Sequence, residues 1–110
     1  MIKYIDSAKM FSIETKNTSY VFRLLDAYKI EHIYYGKKLS GFEGIEYHNC
    51  GLRHGFSSVD AVSEGKYSSN DINSEYPYFG STDMGKPAFH AQYADGSRIT
   101  VPEYVSHRIY

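Results

Sequence analysis

Two carboxylate residues, Glu75 and Asp83, lie in one stretch that is rich in tyrosine, proline and glycine. Two carboxyl groups about 5 to 5.5 Å apart can cleave a glycosidic bond with retention of configuration, one as the nucleophile and the other as the acid and base. In turn-rich segments, however, a carboxylate more often accepts hydrogen bonds from backbone N–H groups. We therefore assign no catalytic residue in this chain.

A looser group of potential metal ligands consists of His48, Cys50 and His54. A zinc site needs three or four converging ligands, so ordinary loop residues with local hydrogen bonds are the favoured interpretation. The sequence also contains no phosphate-binding loop, dinucleotide fingerprint or Ser/His/Asp order. We predict no metal and no other cofactor.

The chain is rich in aromatic residues, with 12 Tyr and 6 Phe but no Trp. Sugar rings pack their C–H faces on aromatic side chains, so a stacking platform is one hypothesis. Alternation along the predicted strands favours the other hypothesis, which is packing within the core. The residues concerned are Tyr20, Tyr34, Tyr35, Tyr76, Tyr78 and Phe79.

Composition indicates a single ordinary domain, because 110 residues with 42% hydrophobic content can form one core. The net charge is −1 and no basic run is present, which argues against binding to nucleic acid or to a membrane surface. No secretory signal or membrane-spanning segment is recognisable, so we expect a cytoplasmic protein. The single Cys50 agrees with a reducing compartment.

The elements that must position these residues are predicted to be β-strands. Ile2–Ile5 and Lys9–Thr15 are expected to pair as a meander, and Thr18–Leu25 and Ile30–Tyr35 as a hairpin. Apolar residues fall on both sides of these strands, which is typical of a layered sandwich. Residues 37–74 contain scattered glycines and little periodicity, so we predict a long loop region that could carry function.

The C-terminal part is predicted to form a second hairpin. Ala88–Tyr93 and Arg98–Val101 alternate, and Asp95-Gly96 between them is typical of a type I′ turn. Glu103–Tyr110 is β-rich again, and Val105, Ile109 and Tyr110 are residues that favour sheet neighbours. We expect a fragment that is truncated at its C-terminal end and that associates with itself through these residues.

The motifs resemble the N-terminal β-domain of family 36 α-galactosidases, also called melibiases, over nearly all of the chain. The resemblance rests on Thr18-Ser19-Tyr20-Val21, His32, Tyr34-Tyr35-Gly36-Lys37, Glu75-Tyr76-Pro77, Gly80, Asp83, Pro87-Ala88, Asp95-Gly96-Ser97 and Ser106-His107-Arg108-Ile109-Tyr110.

The resemblance implies an all-β antiparallel sandwich, residues 1–110, that is part of a β-supersandwich. In that family the catalytic carboxylates belong to a separate barrel domain, so this chain alone is expected to be inactive. The implied role is scaffolding and subunit contact in a homo-oligomer whose parent chain hydrolyses terminal α-galactosides. The alternative is a free-standing β-sandwich module that binds carbohydrate or protein.

The resemblance also implies a contact between subunits. In some tetrameric members, an Asp and a later basic residue of this loop region reach the sugar pocket of a neighbouring subunit. Arg53 stands where that Asp is expected, and Lys66, or Gly65 beside it, stands at the basic position. An Asp accepts hydrogen bonds whereas an Arg only donates them, so the role cannot be carried over unchanged. Arg53 and Lys66 remain the candidate substrate-binding residues.

Overall fold

The computed structural model describes residues 1–25, 28–41, 45, 72–80 and 86–110. These residues contain one four-stranded antiparallel sheet whose strands follow chain order. The strands are β1 (Ile2–Ile5), β2 (Met10–Glu14), β3 (Thr18–Leu24) and β4 (Ile30–Lys37), and a short 3-10 helix, Asp6–Ala8, joins the first two. The predicted meander and the predicted hairpin that ends in β4 are therefore confirmed.

The turn between β2 and β3 is closed by the backbone and side chain of Thr15. Its N–H donates to the carbonyl of Thr18 at 3.0 Å. Its hydroxyl oxygen accepts from the backbone N–H of Asn17 at 3.3 Å and from that of Thr18 at 3.0 Å. A threonine hydroxyl that replaces backbone acceptors in this way stabilises a tight reversal. The turn fixes the register in which β2 and β3 pair.

Strand β4 contains an irregularity at Ile33. Val21 of β3 pairs with Tyr34, whereas the next residue, Phe22, pairs with His32, so Ile33 is an extra residue without an opposite partner. An extra residue of this kind is a β-bulge, and it shifts the side-chain alternation by one position. His32 and Tyr35 therefore lie on the same face of the sheet, although residues three apart in a regular strand lie on opposite faces.

We call that side of the sheet the aromatic face. It carries Tyr4, Phe11, Tyr20, Phe22, His32 and Tyr35. Neighbouring rings are in contact: the centroids of Phe11 and Phe22 are 4.9 Å apart and those of Tyr4 and Phe11 are 4.6 Å apart. Paired aromatic side chains across adjacent strands stabilise a sheet by about 0.2 to 1 kcal/mol each.

The opposite face carries smaller side chains that are more completely buried. Met10 and Val21 are only 2% and 0% exposed, and Ser12 and Ser19 are also buried on this face. The hydroxyl of Ser19 accepts the backbone N–H of Leu39 at 3.0 Å. Burial of a Val or Met side chain contributes about 1.5 to 3 kcal/mol. The sheet therefore has buried residues on both faces, since Phe11 on the aromatic face is also buried.

The predicted turn near Asp95 exists, but its type was wrong. The N–H of Gly96 donates to the carbonyl of Tyr93, and the N–H of Tyr93 donates to the carbonyl of Ser97, both at 2.9 Å. Only Gly96 has a positive φ, +84°, since Asp95 is not among the described residues with a left-handed backbone. The loop is thus a three-residue turn that ends in a left-handed glycine, not a two-residue type I′ turn.

The prediction of regular strands in the C-terminal part is also wrong for the residues that the structure describes. The described residues from 86 to 110 contain no regular strand, and the only ladder contact there is a single bridge between Tyr78 and Phe89. Isolated bonds, such as Thr100 N–H to the Phe79 carbonyl at 3.1 Å, hold this stretch. A strand needs consecutive ladder bonds to a neighbour, and high strand propensity does not supply that neighbour.

The described part of the chain is all-β and forms one sheet, so a second layer that would complete a sandwich is not seen in it. None of the described helical segments has the length and apolar character needed to cross a membrane.

Candidate functional site

Glu75 is brought to the aromatic face by a short segment that pairs with the outer edge of β4. The backbone N–H of His32 donates to the carbonyl of Asn73 at 2.7 Å, and the N–H of Glu75 donates to the carbonyl of Ile30 at 2.9 Å. Ser74 forms an antiparallel bridge with Glu31 between these two bonds. The segment covers the beginning of β4, which would otherwise present unpaired backbone groups.

The carboxylate of Glu75 binds two side chains of the aromatic face. One oxygen accepts the hydroxyl proton of Tyr20. The other lies 2.7 Å from Nδ1 of His32. Because an ionised carboxylate can only accept, Nδ1 of His32 carries a proton in this contact and donates it to Glu75.

Burial raises the pKa of Tyr20 well above its usual value, and its hydrogen bond to Glu75 and the negative charge of that carboxylate raise it further. Both effects favour the neutral phenol, since ionisation would place a second negative charge beside Glu75 in a partly desolvated place. Tyr20 therefore remains a hydrogen-bond donor to Glu75 throughout the physiological pH range. The arrangement holds the carboxylate in one orientation.

An open pocket of about 650 Å³ lies above this cluster. Its lining combines aromatic, aliphatic and polar side chains: Ile13, Thr15, Thr18, Tyr20, His32, Tyr35 and Glu75. Tyr35 is 71% exposed at its rim, and its ring meets that of Tyr20 edge-on with centroids 6.1 Å apart. The β-bulge at Ile33 is what places both His32 and Tyr35 on this pocket.

A second, smaller cavity of about 100 Å³ lies beside the start of β4. Its wall includes the buried Lys29, whose ammonium group lies 4.7 Å from the ring centroid of Tyr78 and donates to the carbonyl of Pro102 at 3.3 Å. A cation over an aromatic ring and a carbonyl is a stable way to bury a lysine. The contacts of Lys29 around this cavity link the C-terminal segment to the sheet.

The predicted tyrosine platform does not form as one surface. Tyr20 and Tyr35 lie on the aromatic face, whereas Tyr34 pairs with Val21 and belongs to the opposite face. Tyr76 and Tyr78 line the smaller cavity. Of the six residues only Tyr78 is fully buried, at 6% exposed, so core packing accounts for it and not for the exposed Tyr35, Tyr76 and Phe79.

The arrangement differs from that of a two-carboxylate hydrolase. Glu75 is the only carboxylate that lines the larger pocket among the described residues. Within that part of the chain, no group of three or more His, Cys, Asp or Glu side chains could hold a metal ion. What the cluster offers is an oriented hydrogen-bond acceptor beside an exposed aromatic ring.

Several predicted site residues lie outside the described part of the chain. They are Arg53 and Lys66, the carboxylate Asp83, and the loose ligand group His48, Cys50 and His54. Their roles stay predictions. Conversely, His32 was missed as a site residue, because a lone histidine within a β-rich run carries no local signal and its position depends on the bulge.

Comparisons with known proteins agree with this fold. Residues 28–110 match the Glycosyl hydrolase family 36 N-terminal domain. Alpha-galactosidase AgaA of Geobacillus stearothermophilus is 31% identical over 109 residues, which cover 99% of this chain and 15% of that protein. The crystal structure of alpha-galactosidase AgaB from the same organism superposes with a TM-score of 0.84 and 32% identity, over 100% of this chain and 14% of that one.

A structure of an AgaA variant in complex with raffinose also superposes, with a TM-score of 0.80 and 32% identity, over 93% of this chain and 14% of that one. The chain thus spans about one seventh of the length of these relatives.

Proposed function

Because this chain belongs to the glycosyl hydrolase family 36 N-terminal domain family, we propose that it serves as the non-catalytic N-terminal domain of an α-galactosidase. Its role there is to support the catalytic domain and to contribute to subunit contacts in a homo-oligomer. The observation that carries the proposal is the match itself: nearly the whole chain aligns with about 15% of an α-galactosidase.

The proposed scaffold role also requires a second layer of structure that packs against the four-stranded sheet. Met10 and Val21 are buried on the face opposite the aromatic face, which supports packing of that face against a second layer as in a β-sandwich. We propose that this sheet is one layer of such a sandwich, that the rest of the parent chain packs against the face of Met10 and Val21, and that the pocket on the aromatic face stays open. We keep the cytoplasmic location as part of the same proposal, and the single cysteine of the chain agrees with it.

The parent substrate is proposed to be a terminal α-galactoside. This follows from the α-galactosidase relatives, one of which is seen with raffinose. Arg53 and Lys66 are the residues that we propose to reach the substrate pocket of a neighbouring subunit. Arg53 would donate hydrogen bonds to sugar hydroxyls where the family is expected to accept them.

A chimera tests the domain role. The matching segment of AgaA is replaced by these 110 residues, and hydrolysis of a chromogenic α-galactoside is compared with that of AgaA lacking the segment. We expect the chimera to be soluble and active and the shortened enzyme to lose activity. Within the chimera, Arg53→Ala and Lys66→Ala should raise KM more than they change kcat if both residues contact substrate.

The isolated chain is expected to show no turnover. A chimera no more active than the shortened enzyme would contradict the scaffold role. Hydrolysis that follows the isolated chain through purification and disappears in Asp83→Ala would contradict the non-catalytic assignment, because it would place a catalytic carboxylate here.

A free-standing binding module is the second candidate, and the exposed Tyr35 beside an open pocket favours it. The mass of the natural polypeptide in its source cells separates the two. A polypeptide several times longer supports the domain role, whereas one of 110 residues supports the module.

A further inference from the structure

The pocket on the aromatic face has the dimensions and the mixed lining of a small-molecule site. Its volume of about 650 Å³ falls within the range of about 300 to 1,000 Å³ that is usual for ligand pockets. Ile13 and the rings of Tyr20 and Tyr35 form its apolar part, and its polar part consists of His32, Glu75, Thr15 and Thr18. A ligand that fits must therefore present both an apolar face and polar edges.

The polar part includes a carboxylate that is already oriented. Tyr20 and His32 each use one position on the Glu75 carboxylate. A carboxylate has about four lone-pair positions, so two remain for a ligand. The other ring nitrogen of His32, Nε2, accepts a hydrogen bond when the ring is neutral and donates one when it is protonated. These groups match a ligand that donates several hydrogen bonds, which is what a set of hydroxyl groups does.

The exposed ring of Tyr35 supplies the complementary surface. It is 71% exposed, and its ring contacts that of Tyr20 edge-on. A tyrosine side chain has only two χ angles, so it loses little conformational entropy when a ligand stacks on it. The negative charge of Glu75 opposes anionic ligands, and an aromatic surface of this size suits a ring rather than a linear polyol.

We propose that the pocket formed by Tyr35, Tyr20, His32 and Glu75 binds a neutral sugar ring, with one C–H face on Tyr35 and two hydroxyls on the carboxylate of Glu75. The pocket lies wholly within this chain, so the inference goes beyond the proposed scaffold role and does not depend on it. It would hold for a domain of an α-galactosidase and for a free-standing module alike.

The test is a titration of the isotopically labelled 110-residue chain with galactose, followed by amide chemical shifts. We expect shifts centred on His32, Tyr35 and Glu75, with a dissociation constant in the range of about 1 to 10 mM. Tyr35→Ala should weaken binding at least about tenfold. Tyr93→Ala is the matched control, since Tyr93 is also an exposed tyrosine, at 51%, but does not line the pocket.

Related ligands define the chemistry. Galacturonate should bind about tenfold more weakly than galactose because of repulsion by Glu75, and glycerol should not bind because it has no ring face. Tighter binding of galactosamine, by about tenfold or more, would assign the pocket to cations and overturn the proposal. Shifts that are absent at about 50 mM galactose, or that persist unchanged in Tyr35→Ala, would overturn it as well.

Discussion

The imidazole Nδ1 of His32 lies 2.7 Å from a carboxylate oxygen of Glu75, and this contact joins β4 to a segment more than forty residues later in the chain. The same carboxylate also binds Tyr20 on β3. A single side chain thus connects two neighbouring strands to the segment that covers the edge of the sheet. The stability of this connection can be measured.

Removal of the Tyr20 hydroxyl should weaken the connection between the sheet and the segment that carries Glu75. We expect Tyr20→Phe and Glu75→Gln each to lower the free energy of unfolding by about 1 kcal/mol, and the double variant to show a coupling energy of about 1 kcal/mol. Tyr34→Phe is the control, since its hydroxyl only donates to the carbonyl of Lys37 at a more exposed site. Denaturant unfolding of the four variants measures this. A loss in Tyr20→Phe no larger than in Tyr34→Phe would contradict a stabilising role for the contact.

Two glycines should differ in their tolerance of alanine. Gly96 has a φ of +84° but open space around it, so Gly96→Ala should cost about 1 kcal/mol from backbone strain alone. Gly80 has a φ of +106°, and a Cβ there would lie 2.7 Å from the side chain of Ile99, so Gly80→Ala should cost more, about 2 kcal/mol or above. Thermal unfolding can rank them.

Gly41→Ala is the control for this pair, because its Cβ would meet nothing and its φ is not in the left-handed region. We expect it to be neutral within about 0.5 kcal/mol. The positive φ of Gly96 also predicts that Gly96→Val lowers the stability of the fold more than Ser97→Val does. Equal losses of stability in these two variants would contradict the placement of the turn.

The turn should also respond to pH. The backbone N–H of Ser97 donates to Asp95 at 2.9 Å and, with the Ser97 side chain, holds the pKa of Asp95 below its usual value. A carboxyl group with a lowered folded-state pKa stabilises the fold above its unfolded pKa, and this stabilisation is lost as the pH falls through the folded-state value. We expect exchange protection of the Ser97 amide to decrease below about pH 4. Asp95→Asn should remove that dependence, and an unchanged profile in the variant would contradict the assignment.

The ion pair between Arg23 and Glu31 tests how much a largely buried pair contributes to stability. Nε of Arg23 lies 2.5 Å from Oε2 of Glu31, and the two side chains are 19% and 3% exposed. Arg23→Leu removes one partner of the buried Glu31 carboxylate, so it should cost about 2 kcal/mol, less than breaking a fully buried pair would. The double change Arg23→Leu with Glu31→Leu should cost less than the sum of the losses in the two single variants, Arg23→Leu and Glu31→Leu. Urea unfolding would contradict this if the two losses simply added.

Exposed apolar side chains near the C-terminus should promote self-association. Val105 and Tyr110 are 89% and 104% exposed, and Ile109 is 42% exposed. Burial of such side chains between two copies removes apolar surface from water. We expect a dimer in sedimentation at high concentration and a monomer for Val105→Asp with Ile109→Asp. Asp substitution at the exposed Lys16 should leave the association unchanged, and a monomeric wild-type chain would contradict the prediction.

The four strands could be predicted because each one is a short, alternating or β-branched run bounded by turn residues, as in β3 between Thr18 and Leu24. The bulge could not, because Ile33 is itself a good strand residue and no glycine or proline marks it. The three-residue turn at Asp95-Gly96 was mistaken for a shorter one because both types favour glycine at the last position. The pocket depends on a pairing of Glu75 with Tyr20 that no local pattern contains.

The extra residue at Ile33 also bears on how the length of this strand can vary. His32 and Tyr35 share a face because Ile33 lies between them without an opposite partner. Deleting Ile33 would leave the two residues two apart in a regular strand, and both side chains would still lie on the aromatic face. In comparisons between relatives, a one-residue gap at this point of the strand is therefore compatible with the same pocket, provided that the bulge is lost with the residue.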